Sequence, residues 1–105
     1  MKQPLLEGLY REVERKKEEV SIALSDATHP VFKAHFPSNP LLPGFMHLEL
    51  IEELFALEIQ GIKTAKFKQK VLPNEIITYK KNDNAIKVYN RQNKEVATFS
   101  FTLSA

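Results

Sequence analysis

The chain predicts an α+β fold in which an antiparallel sheet curls round one central helix, and three observations carry that expectation. A sixteen-residue stretch, Phe45 to Gln60, contains neither Gly nor Pro and has ten apolar residues. Behind it, apolar and polar side chains alternate with the period of a strand. Clusters of Asn, Asp, Gln and Pro cut that alternation into short lengths. A helix followed by a meander of strands packs as one segregated α+β layer structure. The expected organisation is a single domain over residues 1–105.

At residues 5 to 15, Leu5, Leu6, Leu9, Tyr10 and Val13 fit helical spacing, while Leu9 to Glu14 equally fits a strand, and the pattern does not choose. Val20 to Leu24 alternates branched and small residues and predicts a strand. From Thr28 to Gly44 the prolines Pro30, Pro37, Pro40 and Pro43 exclude a continuous helix, so this segment reads as loop with a short extended piece at 31–36. The helix over 45–60 stops at Gly61. Its apolar side chains lie on two sides, Leu48, Ile51, Phe55 and Ile59 on one, Met46, Leu50, Leu54 and Leu57 on the other, which predicts burial over most of its circumference.

A strand is expected over Thr64 to Leu72, with Ala65, Phe67, Gln69 and Val71 on one face and Lys66, Lys68 and Lys70 on the other. Pro73-Asn74 ends it. Ile76 to Lys80 and Ile86 to Tyr89 flank the turn Asn82-Asp83-Asn84. After a turn at Gln92-Asn93, Val96 to Leu103 turns Ala97, Phe99, Phe101 and Leu103 to the core.

Composition excludes several function classes. With 43% hydrophobic and 27% charged residues the chain is an ordinary folding sequence rather than a disordered one. It has no cysteine, which removes disulfides, thiolate nucleophiles and Cys-ligated metals together. Residues 1 to 7 hold no apolar stretch long enough for a signal peptide, and the longest apolar run, Leu54 to Leu57, is far short of a membrane span. The expectation is a cytoplasmic protein without membrane insertion. Residues 1–62 carry 6 basic and 10 acidic groups, residues 63–105 carry 9 and 3. The basic half is either a solvated face or an attractor for an acidic partner. No nucleic-acid-binding motif accompanies its lysines. A domain this short buries only about 60% of its extended surface, so association into at least a dimer is expected.

The residues that carry chemistry are His35-Phe36-Pro37, Pro40, Pro43-Gly44 and Glu49. The prolines stiffen the backbone around His35. Gly44 lets a ligand approach the N–H groups of the helix's first turn, where the positive end of the helix dipole suits an oxygen gaining charge. A carboxyl such as Glu49 on a largely apolar helix has its pKa raised by desolvation, making a proton donor. His35 is the matching base. Against this stand plainer readings, a packed loop histidine and a solvated carboxylate. His47 reads as an interface or surface histidine, His29 as turn chemistry, and the three histidines lack metal-ligand spacing, so no metal and no cofactor are expected.

The run from His35 to Glu49, HFPSNPLLPGFMHLE, resembles the signature of the hot-dog-fold 3-hydroxyacyl-acyl-carrier-protein dehydratases of the FabZ/FabA type. In that pattern His-Phe-Pro is followed by Pro, then Pro-Gly, then an acidic residue five places after the Gly, and all the spacings match. The resemblance is most specific over residues 30–54 and continues weakly through residues 66–73. It implies a hot-dog fold paired as a homodimer, and leaves open whether dimers assemble further into a trimer of dimers. Each site takes its histidine from one chain and its acid from the other. It further implies that His35 abstracts the α-proton of a 3-hydroxyacyl thioester, that Glu49 of the second chain protonates the departing hydroxyl, and that the Gly44 N–H polarises the thioester carbonyl. The implied partner is acyl carrier protein with its phosphopantetheine-linked acyl chain. Lys66, Lys68 and Lys70 are the candidates for steering that acidic carrier. Phe36, Pro43, Phe45, Met46 and Phe67 are candidates for the apolar slot.

The chain departs from the family pattern at Ala34 and Ser38, where glycine is usual, and at Glu53, where glutamine is frequent. Glu53 stands four residues from Glu49, and two like charges so placed raise a pKa if buried. Two other functions share the fold: an acyl thioesterase, in which the carboxylate activates water or attacks the carbonyl, and a non-catalytic acyl-binding or scaffold subunit, for which these departures speak.

Overall fold

The strands of this chain are delimited by residues that tolerate a left-handed backbone. Asn74, Asp83 and Asn93 have φ of 68°, 54° and 63° and sit in the turns around the meander, because Asn and Asp enter that region at low cost. In the computed structural model, which describes residues 6–33 and 40–104, β1 (Tyr10–Lys16), β2 (Glu19–Leu24), β3 (Ile59–Phe67), β4 (Ile76–Asn82), β5 (Ala85–Tyr89) and β6 (Glu95–Leu103) form one antiparallel sheet, and these turns link β3 through to β6. The strand order is β1-β2-β4-β5-β6-β3. Between β2 and β3 the chain forms α1 (Pro30–Lys33) and α2 (Gly44–Phe55). The ambiguous amino-terminal stretch is thus a strand from Tyr10 onward.

Alternation places the core on one face of the sheet. Val20, Ile22 and Leu24 of β2, Ile77 and Tyr79 of β4, Ile86 and Val88 of β5, and Ala97, Phe99 and Phe101 of β6 are buried. They share one hydrophobic cluster with Met46, Leu50, Ile51 and Leu54 of α2. The helix therefore buries a single stripe rather than most of its circumference: Phe45 is exposed, and Leu48 and Phe55 are only partly covered.

Three boundaries differ from the sequence expectation. The helix ends at Phe55, not at residue 60, because Ala56 adopts the left-handed conformation (φ 54°) and gives its N–H to the Glu52 carbonyl. A second stop follows one turn on, where the Glu52 carboxylate accepts the Ile59 N–H at 2.8 Å. With the helix ended early, residues 59–67 pair with β6, so the strand expected over 64–72 lies five residues upstream. Residues 30–33 form one helical turn rather than an extended piece, since the His29 ring accepts the Val31 N–H (3.0 Å) and the His29 carbonyl accepts those of Phe32 and Lys33. The edge strand β3 carries two register shifts and is largely exposed, with Ile62 and Phe67 uncovered. Bulges at an edge twist it away from indiscriminate pairing.

Candidate active site

The start of α2 is held from two sides. The Leu42 N–H donates to the Val71 carbonyl (2.7 Å), tying the segment before the helix to the segment after β3. The N–H groups of Lys68 and Gln69 both donate to the Val96 carbonyl (2.8 and 3.2 Å), which bends that second segment across the sheet. Between them lies a cleft of about 260 Å³, with Leu41, Leu42 and Gly44 on one wall, residues 67–71 on the other, and His47 also lining it. Pro43 is the helix N-cap and offers no side-chain acceptor. The Gly44 N–H accordingly opens the helix without a hydrogen-bond partner among the described residues, a donor at the positive end of the dipole.

Gly44 is required by its neighbour. The Phe67 ring lies against its Cα so closely that a Cβ there would sit 2.7 Å from the ring's Cε1. Phe67 in turn meets Phe99 edge-on at 5.5 Å between centroids. Of the residues expected to wall an apolar slot, only Phe67 lines this cleft among those described. Met46 is wholly inside the core, Phe45 is half exposed, Pro43 is buried, and none of the three reaches the cleft. His35 and Phe36, with the departures Ala34 and Ser38, lie outside the described residues.

Glu49 is on α2 but does not line the cleft. Its Oε2 is shielded from solvent and has no hydrogen-bond partner among the described residues. Desolvation, with the Glu52 charge as a second cause, raises its pKa and favours the acid form. The expected coupling to Glu53 is not what raises it, because the Glu53 carboxylate is turned to β1, where it accepts the Tyr10 hydroxyl.

His47 is not the surface or interface residue expected from its place in the sequence. It is 3% exposed, its Nδ1 is 2.7 Å from the Tyr79 hydroxyl, and its ring is tilted against Phe99. Burial pushes its pKa down to about 4, so the imidazole is neutral at neutral pH. The signal for this was in the spacing: 47, 50, 51 and 54 are i, i+3, i+4 and i+7, one helix face. His29 is turn chemistry as expected, with its Nε2 2.8 Å from the Glu7 carbonyl.

The lysines do not form a single strand face. Lys66 is on β3, whereas Lys68 and Lys70 follow its end and border the cleft. Lys68 is drawn to Glu95 at 2.6 Å, leaving less of its charge available to a partner. Among the described residues, no group of three His, Cys, Asp or Glu is arranged to hold a metal ion, and no helix is long and apolar enough to cross a membrane.

The family model described as ApeI-like, ApeI dehydratase, matches residues 12–103. A FabZ 3-hydroxyacyl-[acyl-carrier-protein] dehydratase of Alkaliphilus metalliredigens is 32% identical over 79 residues, which cover 63% of this chain and 54% of the relative. The FabZ protein of Acetivibrio thermocellus is 27% identical over 107 residues, 90% of this chain and 73% of the relative. The chain thus spans about half the length of the first of these relatives and about three quarters of the second. Among solved structures, the dehydratase heterocomplex ApeI:P from Xenorhabdus doucetiae superposes with a TM-score of 0.69 at 21% identity, over 91% of this chain and 98% of that one. That likeness establishes the hot-dog fold.

Proposed function

The chain belongs to the ApeI-like dehydratase family, and from that premise we propose that it removes water from 3-hydroxyacyl thioesters to give trans-2-enoyl thioesters. The observation that carries this reading is the Glu49 carboxyl, shielded at Oε2 and biased toward its protonated form on the helix whose amino terminus opens into the cleft. A carboxylic acid in that state is suited to delivering a proton to a poor leaving group.

In the proposed reaction the His35 imidazole takes the proton from C2 of the substrate. The released electron pair forms the C2–C3 double bond as the C3–O bond breaks. Glu49 gives its proton to the departing hydroxyl, which leaves as water, and the Gly44 N–H stabilises the charge that gathers on the thioester oxygen. His35 ends protonated and Glu49 ionised, and proton exchange with solvent restores both.

Glu49 and the Gly44 cleft are on the same helix, yet Glu49 does not line that cleft. This supports a homodimeric site in which Glu49 of one copy meets His35 and Gly44 of the other. The uncovered edge strand β3, with Ile62 43% and Phe67 57% exposed, gives a second copy somewhere to sit. The substrate is proposed to arrive on an acyl carrier protein, in cytoplasmic synthesis of fatty acids or related acyl chains. Lys66 and Lys70 steer the acidic carrier, and Lys68 does so to the extent that Glu95 leaves it free.

The test incubates the purified protein with a 3-hydroxybutyryl thioester and follows conjugated enoyl and free thiol together. Enoyl formation without thiol is the expected result. Thiol release would make the protein a thioesterase, and neither product from a folded dimer over several chain lengths would make it an acyl-binding subunit.

A further inference from the structure

His47 is left over by the dehydration chemistry, yet it is a polar side chain in the wall of the cleft. Its geometry fixes its protonation. The Tyr79 hydroxyl is fully buried, and among the described residues its hydrogen-bond partner is His47 Nδ1. A hydroxyl has one hydrogen to give. If Nδ1 were the donor, that hydrogen would be buried without an acceptor, which is costly. Tyr79 therefore donates, Nδ1 accepts, and the proton of the neutral ring resides on Nε2. Burial of both groups holds the pair in this state, the imidazole unprotonated and the phenol un-ionised.

Among the described residues Nε2–H has no protein acceptor. His47 keeps 3% of its surface exposed, and the cleft is the opening that it lines. Tyr79 fixes one edge of the ring, and Phe99 lies 5.8 Å from its centroid. The result is an oriented, uncharged hydrogen-bond donor set among Leu41, Leu42, Phe67 and Val71.

We propose that His47 is a specificity-determining residue, selecting acyl thioesters whose chain places an acceptor oxygen, an ether, keto or hydroxyl group, against its Nε2–H in preference to chains of carbon alone. This deepens the dehydratase reading and rests on it for the identity of the thioester. A plain alkyl chain entering the cleft displaces the water that would satisfy the donor and leaves it unpaired. An oxygen at that place in the chain replaces the water. A buried donor left without a partner typically costs about ten- to a hundredfold in binding, and sites built around such a donor discriminate on that basis.

The experiment uses a series of 3-hydroxyacyl thioesters of equal length in which an ether oxygen replaces successive methylenes, each also made as a non-hydrolysable thioether. Binding of the thioethers to the wild-type protein is measured by calorimetry, and kcat/KM of the thioesters by enoyl absorbance. One oxygen position is expected to bind at least tenfold more tightly than the all-carbon chain. In the double variant His47→Leu/Tyr79→Phe, which removes both polar partners and keeps the core filled, that preference disappears or reverses. His47→Gln, which retains a donor, keeps part of it. Equal binding across the series in the wild type, or a preference that survives in the folded double variant, overturns the assignment. Because calorimetry reads selectivity without turnover, a preference seen by binding in a protein that forms no enoyl would refute the dehydratase reading and leave this one standing.

Discussion

The Phe67 ring occupies the space that a side chain on Gly44 would need, with Cε1 2.7 Å and Cζ 2.9 Å from the position of a Cβ. Gly44→Ala must therefore displace the ring. Phe67 ends the edge strand and is 57% exposed, so the ring can swing outward, giving up its edge-on contact with Phe99. An aromatic pair of this kind contributes about 1 kcal/mol. Gly44→Ala is expected to lower unfolding free energy by about that amount while cutting dehydration at least about tenfold, because a wall of the cleft has moved. A double-mutant cycle checks the cause: once Phe67→Ala is present, adding Gly44→Ala should cost almost nothing further in stability. Additive losses would place the damage elsewhere.

Acid should unfold this protein through His47. Its folded pKa is pushed down to about 4 by burial, against about 6.5 in an unfolded chain. The unfolded state thus binds the extra proton first. The stability tied to a neutral His47 is complete above pH ~6.5, declines as pH falls toward 4, and has no further slope below that. The full span amounts to about 3 kcal/mol. Urea melts between pH 4 and 8 should show this decline in the wild type, and the decline should be largely absent in His47→Leu/Tyr79→Phe. An unchanged slope in the double variant would assign the acid sensitivity to carboxylates instead.

The sheet and the helix were legible because their signals are local. Period-two alternation marked β2, β4, β5 and β6, and Asn-rich turns marked their ends. The family resemblance pointed to Gly44 and Glu49 as site candidates, and both are on α2. What composition could not show was where tertiary pairing overrides local pattern. Gly61 is the stronger helix stop in the sequence, yet the chain stops at Ala56, because residues from Ile59 onward gain ladder hydrogen bonds with β6. Lys68 and Lys70 alternate with apolar residues like a strand face, but the ladder ends at Phe67 and the lysines follow the backbone out of the sheet. The Tyr10–Glu53 and His47–Tyr79 hydrogen bonds join residues 43 and 32 positions apart, a distance over which no periodicity reports.

Glu49 is expected to be a site where activity is maintained against stability. Its pKa is raised by desolvation and by Glu52, so its contribution to stability is present while it is protonated and is lost as pH rises through its folded pKa. Glu49→Gln removes that ionisation. At pH 7 the variant should unfold at the same temperature as the wild type or higher, and the difference should vanish below pH ~4, where both are neutral. Dehydration should fall by at least about a hundredfold, because the amide cannot give up a proton to the leaving hydroxyl. Differential scanning fluorimetry across pH, set beside the enoyl assay, separates the two effects. A near-normal rate would remove Glu49 from the role of acid.

The end of α2 offers a stabilising change that should leave the cleft alone. Ala56 holds φ 54° and donates its N–H to the Glu52 carbonyl, while Leu57 donates to the same oxygen at 3.0 Å. A Cβ in the left-handed region is unfavourable by roughly 1 kcal/mol, and glycine adopts it without that penalty. Glycine also loses more backbone freedom on folding, which offsets part of the gain. Ala56 is exposed, so its methyl contributes little burial in the opposite direction. Ala56→Gly is therefore expected to raise unfolding free energy by about 0.5 kcal/mol, with enoyl formation unchanged, because the substitution lies at the far end of the helix from Gly44. Chemical denaturation at pH 7 checks the first statement and the thioester assay the second. A loss of stability would mean that the entropy term outweighs the relief of left-handed strain at this cap.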